Sequence, residues 1–274
     1  MLNQELAVID TGSLSARLSQ KSECCIEEDI ASYEATLTPD ASIIIPAYME
    51  EETIAEVLQQ VIKVSTSMGN IEIIVVDDGS TDKTGEIVAA YPFIKYIRHM
   101  HNMGKGAAIR TGIKSSRGRI LVIQDADLEY LPDCLPAIIE PIMNGSADIV
   151  YGSRFQSKPK GMSLSHLVGN LILSLTARLM YNVRITDIMT GQKAFRREVL
   201  EAVEIKENGF AVEIEITCLG FIGQINYVEV PIPYSYRNHG TSKIRYIDGV
   251  KSLAKLLAIF LRTDNAKPTT ASNI

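Results

Sequence analysis

Three carboxylates stand at alternate positions in RILVIQDADLE, residues 119–129: Asp125, Asp127 and Glu129. Carboxylate oxygens in this pattern suit a hard divalent cation, Mg2+ or Mn2+, of the kind that keeps open positions for substrate phosphates. A lone D-x-D arises by chance in a chain of this length, so the weight comes from its surroundings. Ile120, Leu121, Val122 and Ile123 form a continuous apolar run, the mark of a strand buried on both faces. Open α/β sheets present their binding chemistry beyond the carboxyl ends of strands. The three acids therefore hang over a sheet edge. The reading is a metal–diphosphate site; the alternative is a solvated turn.

Other groups gather in the same kind of place. Tyr48 and Glu50 follow the apolar run SIIIPAY, and Asp77 and Asp78 follow IEIIVV. Gly104 and Gly106 flank Lys105 just before a helical pattern, where exposed backbone N–H groups and a lysine suit an anion. The glycines spell neither a P-loop nor a G-x-G-x-x-G fingerprint, which argues against an NTPase or a dehydrogenase. His99 and His101 lack a third ligand for a metal pair.

The elements that position these groups alternate between strand and helix. Strands are expected at Ser42–Tyr48, ending at Pro46, at Ile71 onward, at Phe93–His99, at Arg119 onward and at Ala147–Phe155. Helices are expected at Glu50–Val64, with Glu50 to Glu52 in its first turn, at Asp82–Ala90 capped by Ser80 or Thr81, after Gly106, and at Pro132–Met143. This order predicts an α/β fold, Rossmann-like and doubly wound, with a mostly parallel sheet and a C-terminal segment completing it. Residues 1–38 are polar and read as a mobile N-terminal extension; 39–262 form the domain; 263–274 read as a disordered tail.

Of 274 residues, 46% are apolar and 22% charged, ordinary for a globular protein with a sizeable core. The net charge of −6 argues against nucleic acid as a partner. Cys24, Cys25, Cys134 and Cys218 form neither a disulfide framework nor a metal spacing, which fits a reducing compartment. No secretory signal and no membrane span are expected.

The second half differs in charge. Between Arg154 and Glu198 eight Lys/Arg face two Asp/Glu. Within that span Met162–Tyr181 is strongly apolar yet broken by His166, Gly169, Asn170 and Arg178. It reads either as a core helix or as a helix lying on a membrane surface. Gly209–Gly223 is helical, with Glu213 and Glu215 on a solvated face or at the site. A strand follows at Ile225–Arg237, then a polar loop, Asn238–Ile244. The last helix, Tyr246–Leu261, puts Lys251, Lys255 and Arg262 on one side and Val250, Leu253, Leu257 and Leu261 on the other. That pattern is interfacial, or simply a C-terminal helix with a solvated face.

IIIPAYMEEETI, IIVVDDGSTDKT, HNMGKGAAIRTGI, VIQDADLEYLP, VYGSRF, TDIMTGQKAFRREVL and YRNHGTSKI, in this order, resemble family 2 glycosyltransferases. The resemblance spans about residues 40–262 and is nearest to the dolichyl- or polyprenyl-phosphate mannosyltransferase and glucosyltransferase branch. It implies a GT-A fold, inversion, a nucleotide-diphosphate sugar donor such as GDP-mannose or UDP-glucose, and Mg2+ or Mn2+. It implies a lipid monophosphate acceptor and leaves a membrane partner subunit open; with no membrane span expected, the enzyme is expected to sit peripherally at the cytoplasmic face of a membrane. Residues 39–155 become the nucleotide-sugar half and 156–262 the acceptor half. The family's donor contacts fall on Pro46, Tyr48, Glu50, Asp77, Asp78, Gly104 and Lys105, and its metal motif on Asp125, Asp127 and Glu129. Arg154 would face the acceptor phosphate, and Arg237 and Lys243 would lie on a closing loop. Three positions depart from the pattern. Met49 replaces an asparagine, Glu129 a glutamine, and His166 and Asn170 stand on the acceptor side where arginine and serine are expected.

Phosphate is already ionised at neutral pH and needs no general base, whereas a hydroxyl acceptor does. The segment before Gly191 offers Asp187 for that role but not a paired E-D. Three readings follow: transfer to a polyprenyl phosphate, transfer to a soluble or glycan hydroxyl, or a sugar-nucleotide-binding partner protein without catalysis.

Overall fold

The structure, a computed structural model, describes residues 38–157, 161–222, 225–235 and 246–264. The expectations for the N-terminal extension, the 238–244 loop with Lys243, Arg237 and the tail beyond Asp264 lie outside these residues. The chain divides into two units, Met1–Thr38 and Pro39–Ile274, and the second holds everything that follows.

Its centre is a seven-stranded sheet: β1 (Ala41–Ala47), β2 (Ile71–Asp77), β3 (Lys95–Arg98), β4 (Ile120–Ile123), β5 (Ile149–Ser153), β6 (Lys193–Arg196) and β7 (Tyr227–Pro231). The spatial order is β3-β2-β1-β4-β6-β5-β7. All neighbours pair parallel except β6, which runs antiparallel to both β4 and β5. The chain leaves β1 toward β2 on one side and later pairs β4 on the other. That reversal opens a crevice at the strands' carboxyl ends.

Side-chain alternation divides the core. Ile43 and Ile45 of β1 pack with α1 (Ile54–Ser65) and α4 (Leu135–Met143) on one face. Leu121 and Ile123 of β4 pack on the other face with α5 (Leu164–Tyr181), α7 (Val212–Ile222) and α8 (Tyr246–Asp264). The helices α2 (Thr84–Ala89), α3 (Lys105–Ser115) and α6 (Arg197–Glu201) complete the fold.

Pro46 lies inside β1 rather than at its end, and the ladder explains why it is tolerated. Ile44 O accepts from Gln124 N and Ala47 O from Asp78 N, so even residues of β1 face β4 and odd residues face β2. The missing N–H of Pro46 therefore points toward β4, whose pairing with β1 has already ended at Ile44–Ile123.

Several expectations are corrected. Helix α1 begins at Ile54, not Glu50. Met49 has φ 53°, a left-handed conformation that does not continue into a helix, and Glu50 N donates to Thr84 Oγ1 at 2.8 Å. Ser80 and Thr81 do not cap α2: Ser80 Oγ accepts from Met49 N, and Thr81 meets Met49 Sδ at 3.4 Å. Strand β6 was not expected from KAFR, because two of its four residues are cationic. Helix α5 gives only a narrow face to the core. Only Leu173, Ser174 and Ala177 are buried, while Leu164, Leu171, Ile172, Leu175 and Leu179 are exposed. Helix α8 keeps only part of its expected facing: Lys251 and Arg262 are exposed and Leu253 packs on the core, but Lys255 turns to Glu207 and Glu215, and Val250, Leu257 and Leu261 are exposed. Among the described residues no helix is long and apolar enough to cross a membrane.

Candidate functional site

The crevice at the carboxyl ends of β1, β4 and β5 is a cleft of about 1340 Å3. Strand β1 contributes Pro46, Tyr48 and Glu50, the β2 end Asp78, the start of α3 Gly104 and Lys105, and the β4 end Asp125, Asp127 and Glu129. Arg154 after β5 and His166 and Asn170 of α5 close the other side. Thus the described residues that the resemblance assigned to donor, metal and acceptor line one space, except Asp77. Asp77 is fully buried and does not line the cleft; its oxygens accept from Ser80 N at 2.8 Å and Tyr96 Oη at 2.8 Å.

Asp78 lines the cleft but its carboxylate is engaged. It accepts from Met103 N at 2.9 Å and Gly104 N at 2.7 Å, and meets His99 Nδ1 at 2.6 Å. It ties the end of β2 to the start of α3. That helix start is not an anion cradle, contrary to the glycine pattern. Gly106 N donates to Asn208 O at 2.7 Å, and a Cβ on Gly106 would lie 2.1 Å from Glu207 O. The glycines admit the 207–209 backbone, and that backbone consumes the free N–H groups.

Lys105 turns instead to carboxylates. Its Nζ lies 2.6 Å from Asp125 Oδ1 and 2.8 Å from Glu213 Oε1, and Lys193 pairs with the other oxygen of Glu213. Burial works against the Lys105 charge, but Asp125 and Glu213 outweigh it and hold its pKa above the ordinary lysine value. Burial also pushes Asp125 up, to about 6, with repulsion from Asp127 and Glu213 adding to it and Lys105 opposing it. Behind Asp125 stands Gly191, whose Cβ, if it had one, would lie 1.8 Å from Asp125 Oδ2. The main chain itself packs against this carboxylate.

The residues present fit a divalent cation. Asp125, Asp127 and Glu129 offer hard oxygen donors to one cleft, and Asp125 already carries a cationic partner in Lys105. Among the described residues no group of three or more His, Cys, Asp or Glu side chains is placed to hold a metal ion. An ion held by one or two carboxylates plus substrate phosphates needs no such group.

Arg154 and Asp187 form the second feature. Arg154 Nε and Nη2 reach Asp187 Oδ2 and Oδ1 at 2.6 and 2.7 Å, and the Arg154 backbone N–H adds a third bond at 3.1 Å. Asp187 is fully buried with both oxygens occupied, so it is not available as a general base. Glu229 fixes its backbone by accepting from Thr186 N and Asp187 N at 2.8 and 3.0 Å. The guanidinium sits among the rings of Tyr130, Phe155 and Tyr234, 5.4–5.9 Å from their centroids. Tyr130 and Tyr234 pair as an isolated bridge.

Sequence reasoning missed Lys193, Gly191 and the role of Glu213 and Glu215, which are buried rather than solvated. A signal was present: two acids in the otherwise apolar VEIEITCLGFI, and one lysine in a short alternating segment, are placements that burial tolerates only when paired.

Comparison with known proteins matches residues 42–204 to the model described as Glycosyl transferase family 2. The dolichol-phosphate mannosyltransferase of Pyrococcus furiosus is 34% identical over 212 residues, which are 74% of this chain and 59% of that protein. The chain thus spans under two thirds of that relative's length. The polyprenol monophosphomannose synthase of Mycolicibacterium smegmatis is 33% identical over 235 residues, 80% of this chain and 86% of that one. Among solved structures, glucosyl-3-phosphoglycerate synthase from Mycobacterium tuberculosis, in complex with Mn2+, uridine diphosphate and phosphoglyceric acid, superposes with a TM-score of 0.67. It is 22% identical and covers 83% of this chain and 80% of its own. The fold is the GT-A fold, a seven-stranded and mostly parallel α/β sheet.

Proposed function

We propose that this chain, which belongs to glycosyltransferase family 2, transfers a hexose from a nucleotide-diphosphate sugar, GDP-mannose or UDP-glucose, to a polyprenyl or dolichyl monophosphate with inversion. The observation that carries this reading is the Arg154–Asp187 pair. A cationic group is locked into the cleft that holds Asp125 and Asp127, and the one carboxylate that sequence offered as a base is spent on locking it. A site with a fixed cation, and with Asp187 spent on fixing it, suits an acceptor that is already an anion.

In this reading Asp125 and Asp127, with Glu129 beside them, would hold Mg2+ or Mn2+, which supplies neutralisation of the departing diphosphate. Pro46, Tyr48 and Glu50 line the donor side, with Gly104 and Lys105 beneath. Asp77 and Asp78 support that side by fixing the loops around it. Arg154 orients the acceptor phosphate for attack on the anomeric carbon from the face opposite the diphosphate, in a single displacement. Tyr130 and Tyr234 keep the guanidinium in place. His166 and Asn170 line the acceptor side; the resemblance adds Arg237 and Lys243 to the residues that serve the two substrates.

The acceptor's lipid explains the two helices. Ser165, His166 and Ile172 of α5 and Ile247 and Leu253 of α8 line the cleft, and the same helices expose Leu164, Leu171, Leu175, Leu179, Val250 and Leu261. Apolar side chains exposed beside a cleft are what a monotopic protein presents to a bilayer surface. We place the protein peripherally at the cytoplasmic face, where a lipid phosphate reaches the cleft from the membrane.

The test offers labelled GDP-mannose, UDP-glucose and UDP-N-acetylglucosamine to the purified protein with Mg2+ or Mn2+, with and without a polyprenyl phosphate. The expected result is label in the organic phase from one donor, dependent on the lipid phosphate. Sugar transfer to a soluble hydroxyl acceptor alone, with release of the nucleoside diphosphate, would overturn the acceptor assignment. Binding of donor without turnover of any would overturn catalysis.

A further inference from the structure

Two buried residues have no role in the chemistry above: Glu213, which lines the cleft, and Lys193, which pairs with it. With Lys105 and Asp125 they form an unbroken line of alternating charge. Lys105 Nζ bridges Asp125 Oδ1 and Glu213 Oε1, and Lys193 Nζ pairs with Glu213 Oε2. The other oxygen of Asp125 lies against the backbone of Gly191. One oxygen of a cation ligand is thus held by an ammonium group, and the other is pressed against main chain. A divalent cation and Lys105 compete for Asp125.

We infer that Lys105 is a displaceable counter-ion, and that Glu213, half-neutralised by Lys193, is the positioning residue that receives it. The inference rests on the reading of Asp125 and Asp127 as cation ligands and adds a coupling to it. The four groups sum to zero charge. A divalent ion arriving alone would stand next to the Lys105 ammonium in a water-poor site, where like charges repel strongly. A diphosphate arriving with the ion removes that repulsion, because Lys105 can release Asp125 and turn to phosphate oxygen while keeping Glu213. Lys193 matters because a lone Glu213 carboxylate would hold Lys105 with its full charge. Cation and nucleotide therefore bind with positive linkage through one lysine, and linkage is reciprocal.

The experiment is Mn2+ binding to the full chain, followed by electron paramagnetic resonance, with Mn2+ alone and with UDP or GDP added. Wild type should bind Mn2+ weakly alone and on the order of tenfold more tightly with the nucleotide it accepts. Lys105→Met should tighten Mn2+ binding without nucleotide, by about tenfold, and shrink the nucleotide enhancement. The paired change Glu213→Gln with Lys193→Met keeps the net charge but leaves Lys105 on Asp125 alone, so Mn2+ binding without nucleotide should weaken. Opposite signs in two variants are not produced by general loss of structure; if the paired variant does not fold, Lys105→Met decides alone. Should Lys105→Met leave Mn2+ affinity unchanged or weaker while wild type binds Mn2+ with nucleotide, the counter-ion role is wrong and the cation site stands. Should wild type bind no Mn2+ even with nucleotide, the cation reading falls and takes this inference with it.

Discussion

Gly191→Ala isolates the position of Asp125 from the rest of the fold. The added Cβ would lie 1.8 Å from Asp125 Oδ2, 2.6 Å from its Cγ and 3.0 Å from Tyr130 Cε2. Ordinary carbon contacts begin at about 3.5 Å, so the carboxylate must retreat by about 1.7 Å. Asp125 has a short side chain whose other oxygen is fixed on Lys105 at 2.6 Å, so no small rotation relieves the overlap without breaking that pair. A misplacement of about 1 Å at a reacting constellation costs on the order of a hundredfold in rate. Stability should fall by about 1–3 kcal/mol, the cost of overpacking. The assay measures label transfer to polyprenyl phosphate and thermal unfolding on the same preparation. A folded variant with transfer reduced on the order of a hundredfold is the expected result. A folded variant within about threefold of wild type would refute the argument that Asp125 works from this fixed position.

Other predictions follow from the same geometry. Arg154→Lys keeps the charge but loses the two-point grip on buried Asp187, so unfolding should show a loss of about 1.5–3 kcal/mol together with reduced transfer; unchanged stability would mean that the pair does not anchor the loop. Leu171→Glu with Leu175→Glu alters exposed positions of α5 and should weaken flotation with anionic vesicles while leaving the melting temperature near wild type; equal flotation would remove α5 from the membrane surface. Burial pushes the Cys218 thiol up to about 12, so at pH 8 only about one thiol in ten thousand is ionised. Peptide mapping after alkylation of the native protein should find Cys218 unmodified, with reaction rising as the pH climbs toward its pKa; rapid labelling at pH 8 would contradict that burial.

What was legible in the chain were features written in apolar runs. Ile43–Ile45, Ile73–Val76 and Ile120–Ile123 announce buried parallel strands, and the acids after them announce the crevice. The cleft gathers residues from four strand ends because the topology reverses beside β1, which the alternation of elements implied. What was not legible depends on pairing. Lys193 reads as polar and is buried, because Glu213 from a helix far along the chain neutralises it. Strand β6 hides for the same reason. The glycines around Lys105 suggest a phosphate cradle until the 207–209 backbone is seen filling it. Asp187 reads as a base until Arg154 occupies it. Met49, standing where the resemblance leads one to expect asparagine, takes the left-handed conformation that asparagine adopts more readily, so the departure costs backbone strain and not only a polar contact.

The central claim is that Asp127 and its neighbours serve metal-dependent sugar transfer at this cleft. The most direct measurement compares wild type and Asp127→Ala for label transfer to polyprenyl phosphate at saturating Mg2+, with EDTA as the control and thermal unfolding as the check on folding. The account predicts EDTA-sensitive transfer by wild type and none by the folded variant. Wild-type transfer by Asp127→Ala would contradict it and remove the metal site from the chemistry of this protein.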